Sequence, residues 1–579
     1  MTVLPILALL ALAAFVVYRY RRALIARTMG LPPPLYDVTV TRSMAVETEN
    51  GIRLMADHYA PKSDGSFPTI LIRTPYGRGG DGSPKSGGAT AERFAERGYN
   101  VVVQDVRGCF QSGGEFDPFA HEAVDGRAAM DWIAQQPWFD GSLGTWGASY
   151  LGYVQWAIAA DAPPALKAIA PSIISPDRFS STYHDGAFNL DTRLHWLDTL
   201  DFLNGWATLS GWAKVSQMVS LVFGKANPRL EAAFYHLPLL ETDVAATGKV
   251  APFYRDILTH TSADHPYWQV RNHNDCLSQI SIPVCLVGGW YDYYLRGILD
   301  SYTGLRAAGQ NPYLTIGPWS HASPGGSTVN LQEGLAWFGA CLKGDRSRLR
   351  PKPVRIHVMG ADEWREFDEW PPDAQQTRYF IHPEATLSTK APPPTLSTDR
   401  YRYDPADPTP AVGGARFGRN DAGQQDNRAL EARADVLCYT SAPVESDVDV
   451  IGPVRLELWV QSSLAHTDFF GRLCDVAPDG RSLNVCDGLF RIEPGKGEKA
   501  QADGSLRVEV DMWATAYRFR AGHCMRLQVS SGAHPRWSRN LGTGEPIATG
   551  TGMAVAEQTV FYDAEHPSAL VLPISDAWC

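Results

Sequence analysis

Three short segments carry residues able to do acyl-transfer chemistry. WGASYLG (146–152) presents Ser149 behind a glycine, VGGWYDYYLRG (287–297) places Asp292 just past an apolar run, and IGPWSHASPGG (316–326) places His321 just past another. A serine hydroxyl is a poor nucleophile at neutral pH, so a base must take its proton during attack and return it to the leaving group. The base in turn needs a carboxylate on its other ring nitrogen to hold its tautomer and stabilise the imidazolium. Each segment alone is weak. Leu151 stands where the GxSxG pattern has a glycine, and Gly152 follows one residue later. A lone GxSxxG reads equally well as a glycine-rich turn, and a lone His or Asp as a structural residue.

The elements around these segments make the three residues converge. TILIRT (69–74) and NVVVQDV (100–106) are β-rich runs, with helical spacing between them at 89–98. An amphipathic helix at 121–139 is stopped by Pro137, and LGTWG (143–147) then leads into a helix around 150–160. LKAIAPSI (166–173), PVCLVGGW (283–290) and YLTIGPW (313–319) continue the strands, and helices follow at 295–309 and 331–344. This βαβ rhythm predicts a mostly parallel sheet with helices on both faces. Residues just past the carboxyl ends of parallel strands share one rim of the sheet. The order Ser…Asp…His is the one α/β hydrolases use. A strand-to-helix elbow also puts backbone N–H groups where an oxyanion is welcome. One donor is the N–H of Tyr150. The second should come from a loop after an early strand, here RTPYGRGG (73–80), where the Tyr76 hydroxyl is a candidate. For Tyr76 the sequence leaves a packed loop tyrosine as the alternative.

At 579 residues the chain needs several cores. We expect an α/β-hydrolase catalytic domain over 31–174 and 271–350. The aromatic, helical stretch 175–270 is expected to be a cap inserted in it. Beyond 350 the texture turns to period-2 runs such as PVRLELWVQSS (453–463) and LRVEVDMW (506–513), predicting an all-β jelly-roll sandwich over 351–579.

Residues 1–30 are set apart as a hydrophobic anchor with a basic flank. The run at 3–18 has 16 apolar residues, followed by Arg19, Arg21 and Arg22. As a helix it reaches roughly 24 Å, short of the roughly 30 Å hydrocarbon core, with Tyr18, Tyr20 and the arginines able to extend it. The charge follows the apolar run, where a secretory signal has it before. The expectation is therefore a membrane-anchored protein with its catalytic part in the cytoplasm. A soluble cytoplasmic protein, or an exported one with a signal peptide, is the alternative.

Composition excludes other classes. A net charge of −11 without a long basic run argues against nucleic acid as a partner. Nine cysteines lack CxxC or Cys/His ligand spacing, so neither a disulfide framework nor a metal site is expected, and no cofactor. Oligomeric state is not legible.

The segments RTPYGR, QDVRGCFQSGGEF, WFDGSLGTWGASYLG, GGWYD and GPWSH together resemble the cocaine-esterase-like serine hydrolases related to X-Pro dipeptidyl peptidases. The likeness continues through 467–491 and 512–540, which resemble that family's C-terminal jelly roll, and spans about 38 to 575. It implies Ser149 as nucleophile, His321 as base, Asp292 as its orienter, and the Tyr76 hydroxyl with the Tyr150 N–H as oxyanion hole. It also implies that the shifted glycine is the family's own form of the elbow.

The expected substrate is a small-molecule ester or amide, or a short peptide, cleaved through an acyl-enzyme. Amino-acid esters and X-Pro peptides present an ammonium, which a buried site pairs with carboxylates. In the amino-ester hydrolases that resemble this chain, acidic residues follow the triad Asp. Here Tyr293, Tyr294 and Leu295 do, which favours an apolar or aromatic acyl group. Asp177, Asp185, Asp191, Asp198 and Asp201 in the cap leave an ammonium clamp open. An X-Pro dipeptidyl peptidase or an α-amino acid ester hydrolase is therefore the alternative. A catalytically silent binding protein on the same scaffold is the alternative of a different class.

Overall fold

The computed structural model describes residues 19–79, 87–208, 211–212, 227–418, 421–495 and 499–575. They fall into two compact units. One takes in the chain up to Pro171 with Ile280–Cys285 and Ser327–Leu349. The other takes in Ser172–Gln279, Leu286–Gly326 and the chain from Arg350 onward.

In the first unit six strands lie in the order β1-β2-β4-β3-β5-β6. They are β1 (Val38–Glu47), β2 (Arg53–Pro61), β3 (Phe67–Thr74), β4 (Asn100–Asp105), β5 (Phe139–Ala148) and β6 (Leu166–Ser172). β3 runs parallel to both β4 and β5, whereas β1–β2 and β2–β4 are antiparallel. β4 is buried at all six positions, as expected of a strand covered on both faces. β1 is exposed at most positions and forms the edge. Helices Gly88–Ala95, Glu122–Ala134 and Tyr150–Ala159 supply the cover. The expectation of a mostly parallel sheet holds at the centre, and a mixed sheet results because the chain enters through a hairpin turning at Asn50-Gly51.

The second unit opens with a two-residue hairpin, β7 (Tyr183–His184) and β8 (Ala187–Phe188), in a stretch whose sequence shows no paired strands. Helices Leu190–Thr208, Pro228–Ala233, Thr242–Thr247 and Pro252–Thr259 follow. Their shared core includes Tyr183, Phe188, Leu194, Phe234, Tyr254 and Trp268. β9 (Cys285–Tyr291), β10 (Tyr313–Ser320), β11 (Val354–Val358) and β12 (Glu363–Phe367) lie side by side in that order. β10 and β11 are parallel, β11 and β12 antiparallel. From Gln375 to Ile574 an eleven-stranded sheet takes over. Its long strands Val448–Ser462 and Leu506–Phe519 pair antiparallel, and the wholly buried Thr467–Val476 lies between Ser482–Ile492 and Cys524–Ser530.

One expectation is corrected here. Residues 3–18, read as a membrane anchor, lie outside the described residues, and among those described no helix is long and apolar enough to cross a membrane. The basic flank is engaged with the first unit. Residues 19–28 are helical, and Arg22 pairs with Glu96 at 2.8 Å and with Asp37 at 2.5 Å. The membrane-anchored placement is not upheld.

Candidate active site

Ser149 occupies the junction of β5 and helix Tyr150–Ala159 at φ 58°, ψ −125°. A non-glycine residue with positive φ costs roughly 1–3 kcal/mol and survives only where its surroundings enforce it. Two features enforce it here. Gly147 has φ 154°, and a Cβ added there would lie 2.3 Å from the Leu151 Cβ. The glycine therefore makes room for Leu151, the residue standing where the common motif has its second glycine. Gln155, fully buried, bridges the turn: its amide nitrogen donates to the carbonyls of Gly147 (3.2 Å) and Leu151 (2.9 Å), and its oxygen accepts from Ala170 N of β6 (2.9 Å). The helix then starts on Ser149, whose carbonyl accepts from Gly152 N and Tyr153 N.

Tyr150 is held by its side chain. Its hydroxyl donates to Glu122 Oε1 at 2.6 Å and accepts from Phe119 N at 3.1 Å, and its ring stacks on Phe119. Burial, then the neighbouring Glu122 carboxylate, push the phenol well above its ordinary value, so it stays a neutral donor. A tyrosine locked in this way fixes the direction of its own backbone N–H at the helix N-terminus. Tyr76 follows the end of β3, where its N–H donates to Thr74 Oγ1 at 3.0 Å. Two residues on, Arg78 bonds Asp105 and Asp57 at 2.7 and 2.6 Å, anchoring the loop on both sides of Tyr76.

Asp292 and His321 meet directly in the second unit. Asp292 follows β9, is 0% exposed, and accepts from His321 Nδ1 at 2.8 Å and from Tyr294 N at 2.7 Å. A carboxylate partner makes Nδ1 the protonated nitrogen and leaves Nε2 as the basic one, the arrangement a general base requires. His321 follows β10, and its ring stacks on Tyr293 at 4.4 Å and lies 5.7 Å from Tyr294 and 5.8 Å from Phe417. Of the five residues singled out from sequence, the second unit thus joins Asp292 to His321, while Ser149, Tyr150 and Tyr76 lie in the first.

Phe417, Glu122 and Gln155 were not legible as site residues. Phe417 arrives by a long-range tether: its N–H donates to Asp191 Oδ2 at 2.8 Å, and Arg416 pairs with the same carboxylate. The other aspartates weighed as an ammonium clamp are also engaged locally. Asp177 caps Phe179 N, Asp185 pairs with Arg296, Asp198 accepts from Asn227 and Asp201 pairs with Lys249. A cavity of about 840 Å³ in the second unit, lined by Phe179, Tyr183, Leu258 and Arg539 among others, contains neither Asp292 nor His321.

Residues 50–323 match the X-Pro dipeptidyl-peptidase (S15) family, and residues 349–571 match the X-Pro dipeptidyl-peptidase C-terminal non-catalytic domain. The chain is 33% identical to a cocaine esterase of a Rhodococcus species, over 93% of its own length and 98% of that esterase. Two solved structures share the fold, each over 93% of this chain and 97% of theirs. One is an α-amino acid ester hydrolase (21% identity, TM-score 0.76), the other an aminopeptidase from a marine sediment thaumarchaeon (22%, 0.75). An α/β-hydrolase domain with a sheet-rich C-terminal domain is the architecture of a serine hydrolase. The chain belongs to the S15 family of such hydrolases, the cocaine-esterase-like enzymes included.

Proposed function

We propose that this protein hydrolyses carboxylic esters with an apolar or aromatic acyl group through Ser149, His321 and Asp292. His321 takes the Ser149 proton as the hydroxyl attacks the carbonyl, and Asp292 stabilises the imidazolium that forms. The Tyr150 N–H and the Tyr76 hydroxyl donate to the oxyanion of the tetrahedral intermediate. Its collapse expels the alcohol, which takes the proton from His321, and leaves an acyl-enzyme that water clears by the same steps.

The observation carrying this reading is the fully buried Asp292 carboxylate holding His321 Nδ1 at 2.8 Å. The strained backbone of Ser149 supports it. The apolar acyl preference rests on Tyr293, Tyr294 and Phe417 around the imidazole, and on the local partners of the cap aspartates.

The test is a panel on purified protein of p-nitrophenyl acyl esters, amino-acid esters, and Gly-Pro and Ala-Pro anilides, compared by kcat/KM. Acyl esters should lead, and Ser149→Ala should lose both turnover and labelling by a fluorophosphonate. Labelling that persists in Ser149→Ala removes Ser149 from the role, and leading anilides replace the esterase reading by a peptidase.

A further inference from the structure

The cap also brings two buried cations to the wall of the His–Asp pair. Arg178 Nη1 donates to the Tyr294 hydroxyl at 2.8 Å, and its guanidinium carbon lies 5.4 Å from that ring. The same ring sits 5.7 Å from the His321 imidazole, and its backbone N–H bonds Asp292. Arg193 interacts with both Arg178 and Tyr294, and its Nη2 donates to Ser181 O at 2.7 Å. Arg178 is 2% exposed and Arg193 5%.

Two like charges in a low-dielectric interior repel, and a buried guanidinium without an anion is costly. Five other buried arginines meet this cost with carboxylates. Arg73 pairs with Glu122, Arg107 with Asp125, Arg416 with Asp191, Arg472 with Asp487 and Arg491 with Asp468. Arg193 departs from the pattern. Among the described residues no carboxylate lies within ion-pair distance of it, and its buried Nε has no hydrogen-bond partner. Burial, then the charge of Arg178, hold its guanidinium below the ordinary arginine value. A carboxylate beside it reverses that direction.

Resting on the esterase reading above, we propose that Arg178 and Arg193 form a carboxylate-binding subsite at the end of the aromatic wall of Tyr293, Tyr294 and Phe417. The preferred substrate is then an ester whose apolar body ends in a carboxylate. Arginine suits the task because its planar fork binds a carboxylate at two points. The carboxylate belongs to either the acyl or the alcohol half of the ester, and the chemistry of recognition is the same.

The experiment compares matched pairs on the purified full chain. 4-Nitrophenyl hydrogen glutarate against 4-nitrophenyl pentanoate places the charge on the acyl half. 3-Butanoyloxybenzoate against phenyl butanoate places it on the leaving group. One pair should favour the charged member by at least about tenfold in kcat/KM, equivalent to one charge-assisted contact, and the favoured pair identifies the half. Arg193→Met and Arg178→Gln should collapse that ratio towards one, and Arg193→Lys should keep part of it. If those variants fail to fold, competition on the wild type decides: free glutarate should inhibit at least about tenfold more tightly than glutaramide. Hydrolysis of the neutral esters without preference for either charged partner overturns the subsite and leaves the esterase standing. Absence of all ester turnover together with absence of fluorophosphonate labelling overturns both.

Discussion

Ser149 shows how one backbone conformation is held by side chains that do no chemistry. Its positive φ needs the Gly147 carbonyl tied by Gln155, and needs Leu151 to pack where Gly147 has no Cβ. Gly147→Ala should therefore misplace Ser149, the proposed nucleophile. We expect fluorophosphonate labelling to slow by at least about tenfold, with a Tm lowered by several degrees, because a Cβ at 2.3 Å is overpacking worth roughly 1–3 kcal/mol. A variant that labels at the wild-type rate shows that the elbow tolerates the methyl. Tyr76 is tested differently. Its loop is fixed by Thr74 and Arg78 whatever the phenol does. Tyr76→Phe should thus keep the Tm and lower kcat by about 10²–10³-fold, the cost of one oxyanion donor. Wild-type kcat in that variant excludes the hydroxyl from the oxyanion hole.

The elements place residues where their own sequence neighbourhoods cannot. Asp191, at the start of helix Leu190–Thr208, meets His195, Arg416 and Phe417 N. Burial alone would raise its pKa, yet His195 and Arg416 hold the carboxyl well below the usual range. The same carboxylate raises His195 against its desolvation. This one side chain fastens the loop that carries Phe417 to the imidazole. Asp191→Asn leaves Arg416 beside a neutral amide with the half-exposed Asp421 as its other carboxylate, and should cost up to about 3–5 kcal/mol, the range for removing one partner of a buried pair. Urea denaturation measures the loss, and KM for an apolar ester should rise as Phe417 loosens. Unchanged stability means that the Asp191 charge is not what holds the loop.

At the scale of the whole molecule, acid should be the weak side. His184 and His534 are buried, and burial holds His534 down at about 3 and His184 well below the ordinary 6.5. His184 Nδ1 accepts from Trp537 Nε1 at 3.1 Å, which only a neutral ring does. Between the folded and unfolded pKa values the unfolded chain binds more protons, so stability is complete above about pH 6.5 and falls as pH drops towards the folded values. For each of these histidines, every tenfold rise in proton concentration across that window removes about 1.4 kcal/mol of stability. Tm followed by scanning fluorimetry should be flat from about pH 7 to 8, decline steadily from about 6.5 to 4, and decline less steeply in His534→Gln. An equal slope in that variant removes His534 from the account.

What the sequence determined on its own was the class of protein and the order of its elements. Ser149, Asp292 and His321 were legible as candidates because a strand followed by a short turn leaves a local signature: β9 and β10 are largely apolar runs, and β5 a strand buried in its second half, each ending just before one of those residues. The α/β character and the sheet-rich C-terminal half were legible for the same reason, since periodicity is a property of neighbours along the chain. The antiparallel entry strands, the hairpin at Tyr183–Phe188 and the placement of Gln155, Glu122, Phe417, Arg178 and Arg193 were decided only by tertiary structure. Phe417 stands 96 positions beyond His321, and Arg178 stands 116 before Tyr294. No local pattern encodes such pairs, because whether a buried charge or ring has a partner depends on which distant segment folds against it.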